Sequence, residues 1–393
     1  MFKGIFVMIK FGKSLQDNFL LDWNYTYTNH GSYGAVMKSV VDIANKHRKY
    51  LHSNPQLYYS KKLPIYIEEN ANVLGEYLGV SGTSIAFTRS ATESMNAVLR
   101  SLSLLAGDEI ITDINVYPST ARVLDFVCGR ASARYVKVSA SPFITSIEEY
   151  VDSYIDLLTP RTRLVILEDV AASTGLIQPI ERIIEECNRR GIAVLVDGAH
   201  AVGVIPRNLA ELRVDWYVGC LHKWLGVERG VGYIYASEAR KDTLRPMNIS
   251  RSYYEPFPNN FDWPGTGDFS AWLTVKDAIA IRNEEDAKAN FEYCHDLIMW
   301  AGNYTADELG TSFIVPERFV ACMAPVELPE VFQSKKISVQ DIMLALMEKK
   351  IMSKIELING VKYVRLSAYV YNDEEDYKIL IQGIKDIIPQ FEK

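Results

Sequence analysis

The chain has 393 residues, 48% hydrophobic and 23% charged, close to globular averages of about 45–50% and about 25%. This excludes disorder, collagen and coiled coil as descriptions of the whole chain. Its 42 Lys and Arg against 49 Asp and Glu give a net charge of −7, which argues against a nucleic-acid footprint.

At the N-terminus, the apolar run Gly4–Ile9 is too short for a membrane helix, and no small-residue cleavage site follows it, so no secretory signal is expected. Gly12-Lys13-Ser14 invites a phosphate-loop reading. Val7 stands where the first glycine is needed, so that reading is rejected. From residue 60 onward, short β-branched runs alternate with helical stretches. Strands are expected at Ser84–Thr88, Glu109–Asp113, Ala133–Val138, Arg163–Glu168, Ile192–Asp197, Val214–Gly219 and Gly232–Ala236. Helices are expected between most of them, at Ala91–Leu105, Ile147–Leu158 and Ile180–Arg190. Such alternation means βαβ crossovers and a mostly parallel sheet, covered by helices on both faces. Asn248–Asp268 breaks the pattern with three prolines and several aromatics, as a functional loop does. A helix over Ala271–Ala287 opens a smaller α+β unit. That unit closes with a strand at Val361–Ala368 and a helix over Glu374–Phe391 capped by Asp373. The expected units are an N-terminal segment 1–60 packing with the small domain, a large domain 61–268 and a small domain 269–393. The cysteines Cys128, Cys187, Cys220, Cys294 and Cys322 are widely spaced with no CxxC, which points to a reducing cytoplasm and away from zinc or disulfides.

In open α/β sheets, ligands sit outside the carboxyl ends of the strands. There the stretch Val194-Leu-Val-Asp197-Gly-Ala-His200 delivers a carboxylate, and His222-Lys223-Trp224 follows about one βαβ step later with an amine. A cofactor that uses both is pyridoxal 5'-phosphate. It needs a lysine for a Schiff base and an acid to keep its pyridine nitrogen protonated. A phosphate site should accompany them. Ser90-Ala91-Thr92-Glu93 opens a helix with a capping-box pattern, and the free amides of Ala91 and Thr92, with the Thr92 hydroxyl, suit a phosphate.

With these motifs the sequence resembles the class V aminotransferase-fold PLP enzymes, in the isopenicillin N epimerase-like subgroup. Similar segments run along nearly the whole chain: Asn29-His30-Gly31-Ser32, Ser90–Asn96, Tyr117-Pro118-Ser119, Asp197–His200, His222–Leu225, Gly265-Thr266 and Arg365–Ala368. The resemblance implies the type I PLP-dependent transferase fold, a mostly parallel seven-stranded sheet flanked by helices with a smaller C-terminal α+β domain. It implies that Lys223 holds the cofactor and moves the Cα proton, Asp197 pairs with the pyridinium, and His200 meets the ring hydroxyl. Tyr117 would stack on the ring, with Cys220 and His222 beside the cofactor. Thr266 would reach the phosphate of a partner subunit in a homodimer. Arg365 would grip the substrate carboxylate, beside Asn29 and His30. No metal, nucleic acid or membrane enters this picture. Two departures stand out. Ala172 occupies a position usually Asn or Ser, and Cys220 stands where relatives place Ser or Asn. Cys322 lies in an apolar run that reads as a strand, so a desulfurase is disfavoured. The expected reaction is β-elimination from a cysteine-derived amino acid, of the C–S lyase type. The alternatives are an epimerase, an aminotransferase or a catalytically silent scaffold of the same fold.

Overall fold

Strands buried on both faces read as continuous apolar runs, whereas half-buried strands alternate. The seven strands obey this rule. In the computed structural model, which describes residues 11–284 and 286–392, they are β1 (Ile85–Thr88), β2 (Glu109–Asp113), β3 (Arg134–Val138), β4 (Thr162–Glu168), β5 (Ala193–Asp197), β6 (Trp216–Cys220) and β7 (Gly232–Ala236). Their order across the sheet is β1-β7-β6-β5-β4-β2-β3. All neighbours are parallel except β7, which runs antiparallel to both β1 and β6. Edge strand β3 carries Arg134 and Lys137 and is only partly buried, a common guard against edge-to-edge pairing.

Alternate residues of β4 and β5 feed two cores, one on each face. Val165, Leu167, Val194 and Val196 enter one, and Leu164, Ile166, Ala193 and Leu195 the other. Each of the Val, Leu and Ile side chains contributes about 1.5–3 kcal/mol on burial. The helices that cover the sheet are α1 (Lys38–Ser53), α2 (Leu63–Tyr77), α3 (Ala91–Arg100), α4 (Pro118–Ala131), α5 (Ile147–Ile155) and α6 (Glu181–Arg190).

Beyond the irregular stretch, α7 (Val275–Glu284) and α8 (Ala287–Leu309) replace the single helix expected over Ala271–Ala287. The break is local chemistry: Asp286 adopts a left-handed φ of 57° and its side chain caps α8 by accepting from the Ala289 amide. A three-stranded antiparallel sheet follows, β8 (Met323–Glu327), β9 (Lys354–Ile358) and β10 (Val361–Ser367), in the order β9-β10-β8. Helices α9 (Val339–Glu348) and α10 (Glu374–Phe391) pack with it, and Asp373 caps α10 in a full capping box with Asp376. Thr26–Tyr27 pairs in parallel with Ile351–Met352, tying the early chain to the late one. The expected helix Ala91–Leu105 stops at Arg100. Ser101 turns its hydroxyl back to the Ala97 carbonyl, and Gly107 takes φ +83° before β2.

Gly12–Asn18 forms a 3-10 helix. The run Gly4–Ile9 lies outside the described residues. No described helix is long and apolar enough to cross a membrane.

Candidate active site

The carboxyl ends of β4, β5 and β6 and the start of α3 converge on one cavity of about 210 Å³. Its lining includes Ser90, Ala91, Thr92, Tyr117, Glu168, Asp197, His200, Cys220, His222 and Lys223. Two consecutive parallel strands supply the two carboxylates, since Glu168 and Asp197 are register partners at their last residues.

Lys223 is the chemical centre. Its Nζ lies 2.8 Å from His200 Nε2, and the Trp224 indole N–H points at His200 Nδ1 at 3.4 Å. An indole can only donate, so Nδ1 accepts and a neutral His200 carries its proton on Nε2. Burial above all pushes His200 well below the usual histidine range, which favours the neutral ring. Its Nε2 proton therefore faces Lys223, where an ammonium would set donor against donor. Lys223 fits as a free amine. Burial pulls its pKa below the ordinary lysine value, against the opposing pull of Cys220 and Asp197. Burial raises Asp197, while the Ala199 amide, 2.9 Å from Oδ1, and Lys223 hold it down.

At the other end of the cavity, Ser90 caps α3 by accepting from the Glu93 amide at 3.1 Å. Glu93 reaches back to the Arg89 amide, one residue earlier than the expected box. The first amides of a helix have no intrahelical partner, which leaves those of Ala91 and Thr92 at the cavity wall. β7 presses close here, since a Cβ on Gly232 would strike the Ser90 backbone. His222 lines the same cavity with Nδ1 buried and unpartnered among the described residues, its pKa lowered to about 4 by burial and then by Lys223. Cys220 is held as a neutral thiol, pushed up to about 11 chiefly by burial.

A second cavity of about 220 Å³ adjoins the first and shares Ser32, Tyr33, Tyr117, Ala172, His200 and Lys223 with it. Arg365, from β10, forms its floor and is 3% exposed. One guanidinium nitrogen of Arg365 donates to the Ala172 carbonyl, and the other to Ser32 Oγ at 3.1 Å and Asn29 Oδ1 at 3.4 Å. Its Nε is buried without a partner among the described residues. Glu356 stands 3.7 Å away. Ser32 donates to Asn29 Oδ1 at 2.6 Å, so these two groups hold the arginine together.

A family model for aminotransferase class V matches residues 34–380. The chain belongs to the class V aminotransferases. Among curated relatives it is 27% identical to hercynylcysteine sulfoxide lyase of Schizosaccharomyces pombe, over 96% of this chain and 97% of that one. It is 32% identical to isopenicillin N epimerase of Amycolatopsis lactamdurans, over 66% of this chain and 69% of that one. Among solved structures, the cystine C–S lyase C-DES in complex with its product cysteine persulfide has the same fold. Its TM-score is 0.80 at 21% identity, covering 92% of this chain and 98% of that one. The cofactor of this class V aminotransferase is pyridoxal phosphate. The cavity fits it on the chain's own terms: its lining brings together a lysine amine, the buried Asp197 carboxyl, the first amides of α3 and an imidazole nitrogen of His222 with no partner among the described residues.

Most of the residues singled out from the sequence line these two cavities. Two do not. His30 is buried behind the lysine, its Nε2 2.8 Å from the Lys223 carbonyl and its Nδ1 2.9 Å from the Tyr371 hydroxyl, with its ring stacked on Tyr369. The segment packs so closely that a Cβ on Gly34, at φ +66°, would strike the His222 carbonyl. Thr266 is exposed and lines neither cavity of its own chain. Three contributors escaped the sequence reading: Glu168, Trp224 and Ser32. Glu168 could have been found by the rule that found Asp197, because it ends the neighbouring strand. Trp224 and Ser32 lie inside motifs already noted, but their roles depend on partners far along the chain.

Proposed function

We propose that this class V aminotransferase is a C–S lyase acting on a cysteine-derived amino acid. The observation that carries this reading is the placement of Lys223 Nζ, 2.8 Å from His200 Nε2 and in the cavity that Arg365 also lines. β-Elimination needs one base at Cα, and Lys223 is placed to take that proton. Arg365 receives the substrate α-carboxylate through its planar fork, with Ser32 and Asn29 orienting it. Bound pyridoxal phosphate supplies the electron sink that acidifies Cα–H. Asp197 would hold its ring nitrogen, His200 its hydroxyl, Tyr117 its face, and Ala91, Thr92 and His222 its phosphate. The Cα proton passes to Lys223 Nζ, the Cβ–S bond breaks, and the sulfur leaves with its electron pair. Water then completes the release of pyruvate and ammonia.

A persulfide-forming desulfurase fits less well. All five cysteines are buried and unbridged, and Cys220, the one lining the first cavity, is a neutral thiol. Those buried, unbridged cysteines support a reducing, cytoplasmic setting. We further propose a homodimer in which Gly265-Thr266 completes the partner's phosphate site. The exposure of Thr266, and of Tyr254 nearby, supports it. The divisions 1–60, 61–268 and 269–393 remain our proposal for its units.

The test is a screen of amino acids and S-substituted cysteines for pyruvate and ammonia release, run beside deuterium wash-in at Cα. Exchange with loss of optical rotation and no ammonia would make the chain an epimerase, as its 32% identical relative is named.

A further inference from the structure

Glu168 is a carboxylate inside the cofactor cavity with no role in the chemistry above. It ends β4, in register with Asp197 on β5. Its two oxygens do different jobs. Oε1 accepts the Tyr117 amide at 3.1 Å, and Oε2 accepts the Ala172 amide at 3.0 Å. Tyr117 stands at the N-terminus of α4, which has no side-chain cap of its own, so the carboxylate anchors that terminus. Ala172, through its carbonyl, takes the Arg365 guanidinium. Three hydrogen bonds thus join Tyr117 to Arg365, two of them made by the Glu168 side chain and the third by the Ala172 carbonyl.

In pyridoxal chemistry the bond at Cα that breaks is the one standing perpendicular to the cofactor ring. The ring plane depends on the groups that cover and anchor it, and the direction of the α-carboxylate depends on the arginine. Whatever sets one against the other selects the reaction. Resting on the function proposed above, we propose that Glu168 is a positioning residue for reaction specificity. It holds the Tyr117 and Ala172–Arg365 segments in one frame, so that Cα–H stands ready to break and elimination follows.

The test uses Glu168→Gln, which keeps the shape but offers one acceptor and turns its amide nitrogen toward a backbone N–H, and Glu168→Asp, which keeps the carboxyl but loses reach. In the cofactor-free protein, hydrogen exchange should speed up by about tenfold at the Tyr117 or Ala172 amide in each variant, the size of one lost hydrogen bond. In the loaded enzyme, the ratio of elimination to side transamination should fall by a similar factor in both. Freed amides with an unchanged product ratio would reduce Glu168 to a structural residue and overturn the proposal. A shift in Glu168→Gln alone would assign the effect to charge beside Asp197 and overturn it too. If one variant fails to fold, the other still decides. If the wild-type protein exchanges Cα–H without releasing pyruvate, the lyase reading fails. The Glu168 proposal is then judged on the ratio of exchange to transamination.

Discussion

His200 and Lys223 face each other at 2.8 Å as donor and acceptor, with the donor chosen by a third residue, Trp224, on the far side of the imidazole. The arrangement, with burial, favours the neutral amine of Lys223 in the cofactor-free protein. It also makes Trp224 more than a core residue, although it is almost completely buried.

Trp224→Phe removes the only donor at His200 Nδ1 among the described residues. The Nδ1–H tautomer should then appear in 15N spectra of the cofactor-free protein, and kcat should fall by about tenfold. An unchanged tautomer would remove Trp224 from the account. Some stability loss, about 1–3 kcal/mol from the smaller ring, is expected beside it.

Arg365 is buried with an orphaned Nε, and burial holds its pKa below the ordinary arginine value. Its other nitrogens serve the Ala172 carbonyl, Ser32 and Asn29, with Glu356 beside them, and removing one member of such a buried set strands the rest. Arg365→Met should therefore lower the melting temperature of the cofactor-free protein, and KM for an amino acid should rise by about 100-fold or more. A large fall in melting temperature with an unchanged KM would contradict its role as the carboxylate site.

Burial, and then the Asp197 charge, push the Glu168 carboxyl up to about 8. A carboxyl whose pKa is higher in the folded chain contributes most below its unfolded value, and that contribution is lost as pH rises through the folded one. Urea unfolding of the cofactor-free protein should accordingly show falling stability from about pH 4.5 to pH 8, with Asp197 adding in the same direction. Glu168→Gln should flatten the upper part of that slope. An identical slope in the variant would contradict the assignment.

Much of this was legible in the sequence. The strands were readable because burial on both faces leaves uninterrupted apolar runs, and β2 and β7 carry the expected limits. Lys223 and Asp197 were readable because strand ends in such sheets are where chemistry collects. Glu168 obeys the same rule, but its meaning lies in two backbone amides 51 and 4 residues away, which no local pattern encodes. His30 shows the converse. The resemblance implies substrate contact, whereas the structure seats the ring behind Lys223, against Tyr369 and Tyr371. Tertiary packing alone decides between those two positions.

His30→Phe separates them. It keeps the stack on Tyr369 but loses the donor to the Lys223 carbonyl. If His30 acts through the lysine loop, kcat falls by several-fold, about the worth of one hydrogen bond, with KM unchanged. His30→Gln, which restores a donor, recovers part of the loss. A rise in KM with kcat unchanged would return His30 to substrate binding.

The central claim is that Lys223 removes a Cα proton to expel sulfur. It is tested most directly by one time course, in which the pyridoxal phosphate-loaded protein is given an S-substituted cysteine and thiol, pyruvate and ammonia are counted together. The account predicts equal amounts of all three, abolished in Lys223→Ala. Turnover with no ammonia, or unchanged turnover in Lys223→Ala, would contradict it.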